Sequence, residues 1–221
     1  LTMAAALDMG IVTPQTTYVD IGSFSINGTV IRNWDQGAWG LQDMTGCLRH
    51  SLNVCMAWIA TEMGTDNFYD YMSNFGIGHP TGIDLSGEAG GRLKVPGDAD
   101  WYPIDLATNS FGQGVTTTPI QMLMATSAVA NDGKMVAPHI LYGMVRNGKQ
   151  YDFPPQDAGT PISKGAAQAL SEMLANSIAG DDSNVAIPGY RLAGKTGTAQ
   201  IPTEYGWYSE DETNTSYIGW G

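Results

Sequence analysis

The sequence is poor in cysteine, histidine and basic residues, and each shortage argues against a class of function. Two cysteines and three histidines occur among 221 residues, without Cys-x-x-Cys or His-Glu-x-x-His spacing, so no metal site is predicted. Ten Lys and Arg stand against 22 Asp and Glu, and the formal charge of −12 disfavours nucleic acid and anionic membrane surfaces as partners. We interpret the acidity as a property of a soluble surface.

Long hydrophobic runs and internal repeats are also absent. No apolar run approaches the roughly 18 residues that a membrane span needs, and no signal peptide opens the chain. What is present is a hydrophobic content of 43%, with 28 glycines and 11 prolines that follow no period. This composition predicts a packed, mixed α/β protein with many turns, and no shift in composition marks a second domain.

The two cysteines, Cys47 and Cys55, leave two interpretations open. They lie eight residues apart, where they could either approach one another across a helix junction or pack separately as small apolar side chains. A single pair implies no disulfide framework. We therefore favour two buried thiols over a disulfide.

The pattern of apolar, turn and capping residues predicts alternating helices and strands. Helices are expected over 1–9 (which lacks an N-cap), 41–50, 53–63, 66–75, 118–131, which has Pro119 at the favoured first position, and 163–178, which is capped by Ser163. Strands are expected over 16–26, 29–34, 190–201 and 215–220, with a strand pair or an extended excursion over 134–146. Asn27-Gly28 predicts a hairpin turn, and 78–103, 181–184 and 204–214 are interpreted as loops.

One short motif, Ser51-Leu52-Asn53, falls at the junction of two predicted helices. Side chains at such a junction can point into a cleft. There the Ser51 hydroxyl can relay a proton, and the Asn53 amide can both donate and accept hydrogen bonds. Alone the motif is weak, because Ser and Asn are also common helix caps.

A second and more specific motif, Lys195-Thr196-Gly197 followed by Thr198, falls on a predicted strand. The lysine supplies positive potential, and the Thr196 hydroxyl can bind a carboxylate. Gly197 leaves room for an extended substrate along the strand, and the amide of Thr198 is suited to an oxyanion. The alternative is an ordinary strand with an edge lysine and a glycine bulge.

The groups of these two motifs suit a serine acyl transferase, and such an enzyme also needs a nucleophile. The two motifs are two of the three found in penicillin-recognising enzymes, and the third is Ser-x-x-Lys. No serine of this chain is followed by lysine three positions later. We therefore expect the chain to be part of an enzyme, beginning just after the residue that performs the chemistry.

Longer segments strengthen this interpretation. In chain order they are LTMAAALD, CLRHSLNVCMAWIA, FGIGHPTGIDLSGE, DLATNSFGQGVTTTPIQM, AVANDGKMVAPHI and YRLAGKTGTAQ. Together they resemble, over nearly the whole chain, the transpeptidase domain of class B penicillin-binding proteins. That family cross-links peptidoglycan through a serine acyl-enzyme and is inhibited by β-lactams.

The resemblance implies an α/β fold, an antiparallel sheet flanked by helices, incomplete at both ends. Residues 1–221 would be a partial transpeptidase domain without the nucleophile motif and the last sheet strand, and the nucleophile would lie a few residues before Leu1. Such a piece would be poorly stable and would not be acylated by penicillin on its own. It would belong to a protein on the outer face of the cell membrane, anchored by an N-terminal segment outside this chain.

The resemblance also assigns partners and residues. It implies no metal or organic cofactor and no nucleic acid, but stem peptides ending in D-Ala-D-Ala, β-lactams and a membrane glycosyltransferase as partners. Catalytic roles fall on Ser51, Asn53 and Lys195, and substrate-binding roles on Thr196, Gly197 and Thr198. Ser51 would pass protons with electrostatic support from Lys195, Asn53 would hold the substrate's peptide amide, and the two threonines would receive its carboxylate.

Some positions match the family without an assigned role, or depart from it. Residues 111–114 (FGQG) match a signature near the cleft, which we interpret as structural support. Cys55 stands where the family usually has glycine, and Trp58 replaces a smaller or charged residue.

Three functions remain as alternatives: the transpeptidase, a catalytically silent homologue or β-lactam sensor, and a serine β-lactamase. The last needs a base for deacylation, for which Glu62 and Glu88 qualify by residue type only.

Overall fold

A computed structural model describes residues 1–179, 187–202 and 208–221, in which helices form the core and pairs of strands surround it. The helices are α1 (Thr2–Asp8), α2 (Met44–Arg49), α3 (Asn53–Met63), α4 (Thr65–Asn74), α5 (Pro103–Ser110), α6 (Pro119–Ala130) and α7 (Lys164–Ala179). None of them, in the ranges just given, is long and apolar enough to cross a membrane.

The strands are short and antiparallel, and over the described residues each sheet holds two of them. The pairs are β1 (Thr17–Asp20) with β4 (Gly40–Asp43), β2 (Ser23–Ile26) with β3 (Thr29–Arg32), β5 (Arg92–Leu93) with β6 (Val115–Thr116), β7 (Met135–Ala137) with β10 (Gln156–Gly159), β8 (Gly143–Arg146) with β9 (Lys149–Asp152), and β11 (Ala193–Pro202) with β12 (Tyr208–Trp220). The expected mixture of antiparallel strands and helices is confirmed.

Helix α1 lies at the centre of the core. Ala4, Ala5 and Ala6 are fully buried, and the helix packs against α3, α4 and α7. Alanine favours the helix and, having only a methyl side chain, lets neighbouring helices approach closely. The main core cluster extends from α1 through α2, α3, α4, α6 and α7.

Several elements agree with the sequence patterns. Helix α3 has the predicted bounds, and α6 begins after Thr118, whose side chain accepts a hydrogen bond from the amide of Gln121. The N-cap role of Ser163 is confirmed by a 3.3 Å hydrogen bond from the amide of Ala166. Asn27 and Gly28, with φ of 48° and 82°, form the predicted hairpin turn between β2 and β3.

The prediction of one helix over 41–50 is wrong in its first part. Residues 40–43 form β4, which pairs with β1, and the helix begins only at Met44. The reason is local, because the Asp43 side chain caps α2 by accepting a 2.6 Å hydrogen bond from the amide of Gly46. A sequence window that scores helical residues does not separate a cap from a helix interior.

Other strand predictions needed correction. The predicted strand over 16–26 is divided in two by a turn at Gly22, whose φ is 79°. The strands within 134–146 exist, but β7 pairs with β10 and β8 with β9 instead of with one another. The predicted loop over 204–214 is strand β12 from Tyr208 onward, and 181–184 lies outside the described residues.

Two features of this architecture position the candidate site. Strand β11 lies on α7 and carries Lys195 opposite Ile218 of β12. The junction of α2 and α3 carries Ser51, and α2 also packs on α7. Helix α7 therefore packs against both the helix that precedes Ser51 and the strand that carries Lys195.

Candidate active site

Helix α2 ends in a turn at Ser51, which we call the Ser51 turn. Serine is an unusual residue at this position. After α2, Ser51 adopts a left-handed φ of 54°. The amide of Leu52 donates to the carbonyl of Cys47 (3.0 Å), and the amide of Ser51 donates to the carbonyl of Leu48 (3.2 Å). This is the Schellman arrangement, in which the left-handed position usually holds glycine. Serine there places a hydroxyl where glycine would have no side chain.

Lys195 reaches this hydroxyl from β11. Its Nζ lies 3.0 Å from Ser51 Oγ, 3.3 Å from the carbonyl oxygen of Thr196 and 3.4 Å from Thr196 Oγ1. The structure thus brings together two motifs that are 144 residues apart in the chain. An ammonium beside a hydroxyl stabilises negative charge on that oxygen and can exchange a proton with it.

Asn53, the other polar residue of the first motif, begins α3. Its Nδ2 donates to the carbonyl of Arg32 at 3.2 Å, and the next amide, that of Val54, donates to Asn33 Oδ1 at 3.3 Å. The N-cap residue Leu52 has no polar side chain, so Asn33 takes the place of the missing cap. The end of β3 therefore orients the start of α3.

Sequence reasoning missed the buried group behind this contact. Asp20, only 1% exposed, accepts hydrogen bonds from Asn33 Nδ2 (2.8 Å), the amide of Trp39 (2.9 Å) and the amide of Gly22 (2.9 Å). The spacing of Asp20 and Gly22 is typical of a local Asx turn, which is the one signal the sequence offered. Nothing local indicated that the same carboxylate holds Asn33.

The substrate-binding candidates lie along β11. Thr196 and Gly197 line a cavity of about 220 Å³ together with Lys195. Its other walls are mostly apolar and come from Leu1, Met3, Leu48, Met122, Thr126, Val129, Leu170, Leu174, Ser216, Ile218 and Trp220. Thr198 is exposed one residue beyond Gly197 and pairs with Thr215.

The interpretation of Cys47 and Cys55 as separate thiols is wrong. They form a disulfide with their Cα atoms 6.3 Å apart, and both residues are fully buried. The physical reason is the Ser51 turn, which brings Cys47 of α2 within bonding distance of Cys55 of α3. Spacing alone did not reveal this approach, because it depends on the left-handed serine.

Comparison with known proteins places this geometry in a family. The whole chain, residues 1–221, matches the family described as the penicillin binding protein transpeptidase domain. The chain belongs to this family. The resemblance found in the sequence is thereby confirmed.

Relatives of this transpeptidase family match most or nearly all of the chain. It is 34% identical over 229 residues to stage V sporulation protein D of Bacillus subtilis, covering 99% of this chain and 34% of that protein. It is 37% identical over 167 residues to the peptidoglycan D,D-transpeptidase MrdA of Salmonella typhimurium, covering 71% and 26% of the two chains. The chain therefore spans about a third of the length of the first relative and less of the second.

Solved structures agree on the fold. Penicillin binding protein 3 of Mycobacterium tuberculosis, in complex with aztreonam, superposes with a TM-score of 0.88 at 29% sequence identity. The match covers 99% of this chain and 50% of that one. The expected transpeptidase fold is confirmed.

The family signature at 111–114 begins with Phe111, which packs beside α3. Phe111 packs against a small core cluster formed by Ile31, Val54, Ala57 and Ala107, on the side of α3 that faces β2 and β3. Trp58, which departs from the family pattern, stacks on Tyr18 with ring centroids 5.2 Å apart. Both aromatic side chains therefore support α3 by packing.

Neither glutamate weighed as a β-lactamase base is arranged for that role. Glu88 holds its own loop by accepting hydrogen bonds from the hydroxyl and amide of Thr81 (2.6 Å each), which lower its pKa. A general base near neutral pH needs a raised pKa. Glu62 is exposed and lies about 13 Å along α3 from Asn53.

Proposed function

We propose that this chain is the greater part of the transpeptidase domain of a peptidoglycan D,D-transpeptidase, which cross-links stem peptides through a serine acyl-enzyme and is inhibited by β-lactams. The observation that carries the proposal is the 3.0 Å contact between Lys195 Nζ and Ser51 Oγ beside an open strand. The relative named peptidoglycan D,D-transpeptidase supports the reaction class.

In this proposal Ser51 and Lys195 move protons. The attacking serine must lose a proton and the departing amine must gain one. The Ser51 hydroxyl relays that proton, and the Lys195 ammonium stabilises the negative charge that develops on Ser51 Oγ during the transfer. Asn53 holds the peptide amide of the substrate, for which its side chain lies beside the turn.

The strand binds the substrate. The hydroxyls of Thr196 and Thr198 receive the carboxylate of the stem peptide or of the β-lactam, and Lys195 attracts it. Gly197, without a side chain, lets an extended substrate lie against β11. The amide of Thr198 donates to the oxyanion.

We place the nucleophile in a Ser-x-x-Lys motif a few residues before Leu1. Leu1 and Met3 of α1 line the same cavity as Lys195 and Gly197. A few extended residues span about 10 Å, so a serine before Leu1 is within reach of this cleft. In this proposal residues 1–221 alone are not acylated, because they contain Ser51 as proton relay but not the nucleophile.

Location and partners follow from the same proposal. A buried disulfide forms and persists in oxidising compartments, which supports the outer face of the cell membrane. The anchor would be an N-terminal segment outside this chain, and a membrane glycosyltransferase would supply the glycan strands.

The test is intact-mass analysis of the full-length protein after incubation with penicillin, followed by peptide mapping. We expect one covalent adduct on a serine shortly before Leu1, and release of D-alanine from a stem-peptide analogue. No adduct on a protein shown to be folded would replace the proposal with a silent homologue. An adduct without D-alanine release would indicate a sensor, and rapid loss of the adduct a β-lactamase.

A further inference from the structure

We propose that the Cys47–Cys55 disulfide is a positioning element that holds the Ser51 turn in its left-handed conformation, with the hydroxyl in reach of Lys195. This inference rests on the proposed acyl-transfer function and adds two residues to it. Neither cysteine lines the cavity, but the segment between them carries Ser51, whose hydroxyl contacts the cavity residue Lys195.

The disulfide bridge spans the Ser51 turn. Cys47 belongs to α2 and Cys55 to α3, so the bridge closes the segment that contains Ser51 and Asn53. Cys47 also accepts the hydrogen bond from the amide of Leu52 that defines the turn. One residue therefore holds the turn twice, through its carbonyl and through its sulfur.

Ser51 needs a constraint because its left-handed φ is unfavourable for a serine. A residue with a Cβ atom disfavours left-handed φ, and four of the five such non-glycine residues in the described ranges are Asn, Asp or Gln. Glycine would relieve this demand but would remove the hydroxyl that contacts Lys195. A cross-link across the turn keeps the serine in place without that loss.

Helix α3 begins without a capping side chain at its N-cap position, so its first turn needs support from elsewhere. Leu52 caps nothing, and the nearest support is the 3.3 Å contact from the amide of Val54 to Asn33. Cys55 is the third residue of α3, so the bridge fixes its first turn to the last turn of α2. Both cysteines are fully buried in the close-packed core, which keeps the link rigid.

The experiment compares the full-length protein with Cys47→Ala/Cys55→Ala and with Met135→Ala, a core substitution in β7. Penicillin acylation is measured as a limiting rate and an apparent dissociation constant, beside the melting temperature. We expect the double variant to lower the limiting rate about 10- to 100-fold, because small misplacements of a proton relay are costly. The apparent dissociation constant should change less than about threefold.

Reduction tests the same link without mutation. Wild-type protein treated with a phosphine, with thiols counted by alkylation and mass, should lose acylation in step with the reduced fraction and regain it on reoxidation. If the double variant fails to fold, the reduction experiment alone tests the inference. The inference is overturned if the double variant and Met135→Ala have equal limiting rates at similar melting temperatures. It is also overturned if reduction leaves the limiting rate of the wild-type protein unchanged.

A second readout separates this inference from the proposed function. Amide hydrogen exchange at Ser51 and Leu52 should speed up at least about tenfold when the bridge is removed, while the amides of α6 keep their rates. If wild-type protein is not acylated, the proposed function fails and exchange alone tests the positioning. Unchanged exchange at the turn overturns the inference whatever the acylation shows.

Discussion

The turn that carries Ser51 is enclosed by core and closed by a disulfide, whereas Lys195 belongs to a ribbon of two strands with an exposed outer side. Leu52 and both cysteines are fully buried. On the ribbon, Thr196 and Thr198 are exposed, and within the described residues β11 pairs only with β12. Of these two halves of the site, the turn is therefore held mainly by side-chain packing and a disulfide, whereas the ribbon is held by backbone pairing and by the packing of one side of β11 on α7.

This difference predicts how each half responds to substitution. A ribbon held by backbone hydrogen bonds keeps its shape when most side chains change, so we expect its sensitive position to be Lys195, to which we assign a role in proton transfer. The turn depends on particular side chains, namely a left-handed serine, a buried asparagine and a disulfide. There we expect stability and activity to fall together.

The largest effect should come from Lys195→Met in the full-length protein. Removing the ammonium leaves Ser51 without its charged partner, and we expect penicillin acylation to slow by at least about 100-fold. The melting temperature should stay close to wild type, because the ribbon is held by its backbone. Lys149→Met, in the exposed hairpin of β8 and β9, is the matched control and should leave acylation unchanged. A slowing of less than about threefold in Lys195→Met would contradict the proposed role.

Ser51→Gly and Ser51→Ala separate the chemistry of the turn from its conformation. Both remove the hydroxyl, so both should slow acylation by roughly 100-fold. Only glycine adopts the left-handed φ without cost, so we expect Ser51→Gly to be about 1 kcal/mol more stable than Ser51→Ala. Denaturant unfolding of the two variants measures this difference. Equal stabilities would show that the turn imposes no conformational demand on Ser51.

Asn33→Ala tests the hydrogen-bonded support of the turn. It leaves the buried Asp20 carboxylate and the amide of Val54 each without one partner, so we expect a loss of about 1–3 kcal/mol in unfolding free energy. Gln150→Ala, on the exposed hairpin, should change it by less than about 0.5 kcal/mol. If Asn33→Ala proves as mild as the control, the comparison between a packed half and a paired half loses one support.

The smallest effect concerns Asp8, which lies outside both halves and serves as a reference. Burial opposes its ionisation, but hydrogen bonds from the Tyr71 hydroxyl and the Ser163 amide, each 2.7 Å, outweigh it and lower the pKa of Asp8. Burial, and then the bond to Asp8, raise the pKa of Tyr71 to about 12.

Because the pKa of Asp8 is lower in the folded state, its contribution to stability is present above the unfolded value and lost as pH falls through the folded one. Asp8→Asn should therefore lower the melting temperature slightly at neutral pH, and the gap to wild type should close as the pH falls below about 4. A gap that stays constant across this range would show that the ionised form contributes nothing.

Much of the fold could be predicted from local signals. The bounds of α3, the hairpin at Asn27-Gly28, the start of α6 after Thr118 and the cap Ser163 each follow from residues within one turn of the chain. The start of α2 was not predicted, because residue type alone does not distinguish the capping residue Asp43 and strand β4 before it from a helix interior. The chemistry that we propose for Ser51, Asn53 and Lys195 follows from their motifs, since residue type limits what each can donate or accept.

The sequence by itself determined the family, most of the helices (although not α5 or the start of α2) and the three polar groups that we propose for the site. Only the tertiary structure decided that Lys195 Nζ meets Ser51 Oγ, that Cys47 and Cys55 join, and that Asp20 holds Asn33. The physical reason is that these contacts depend on how the backbone folds between the two partners, whereas capping is settled among neighbouring residues. The contact between Lys195 and Ser51 joins segments 144 residues apart, and the other two join residues 8 and 13 positions apart whose approach depends on the turn between them.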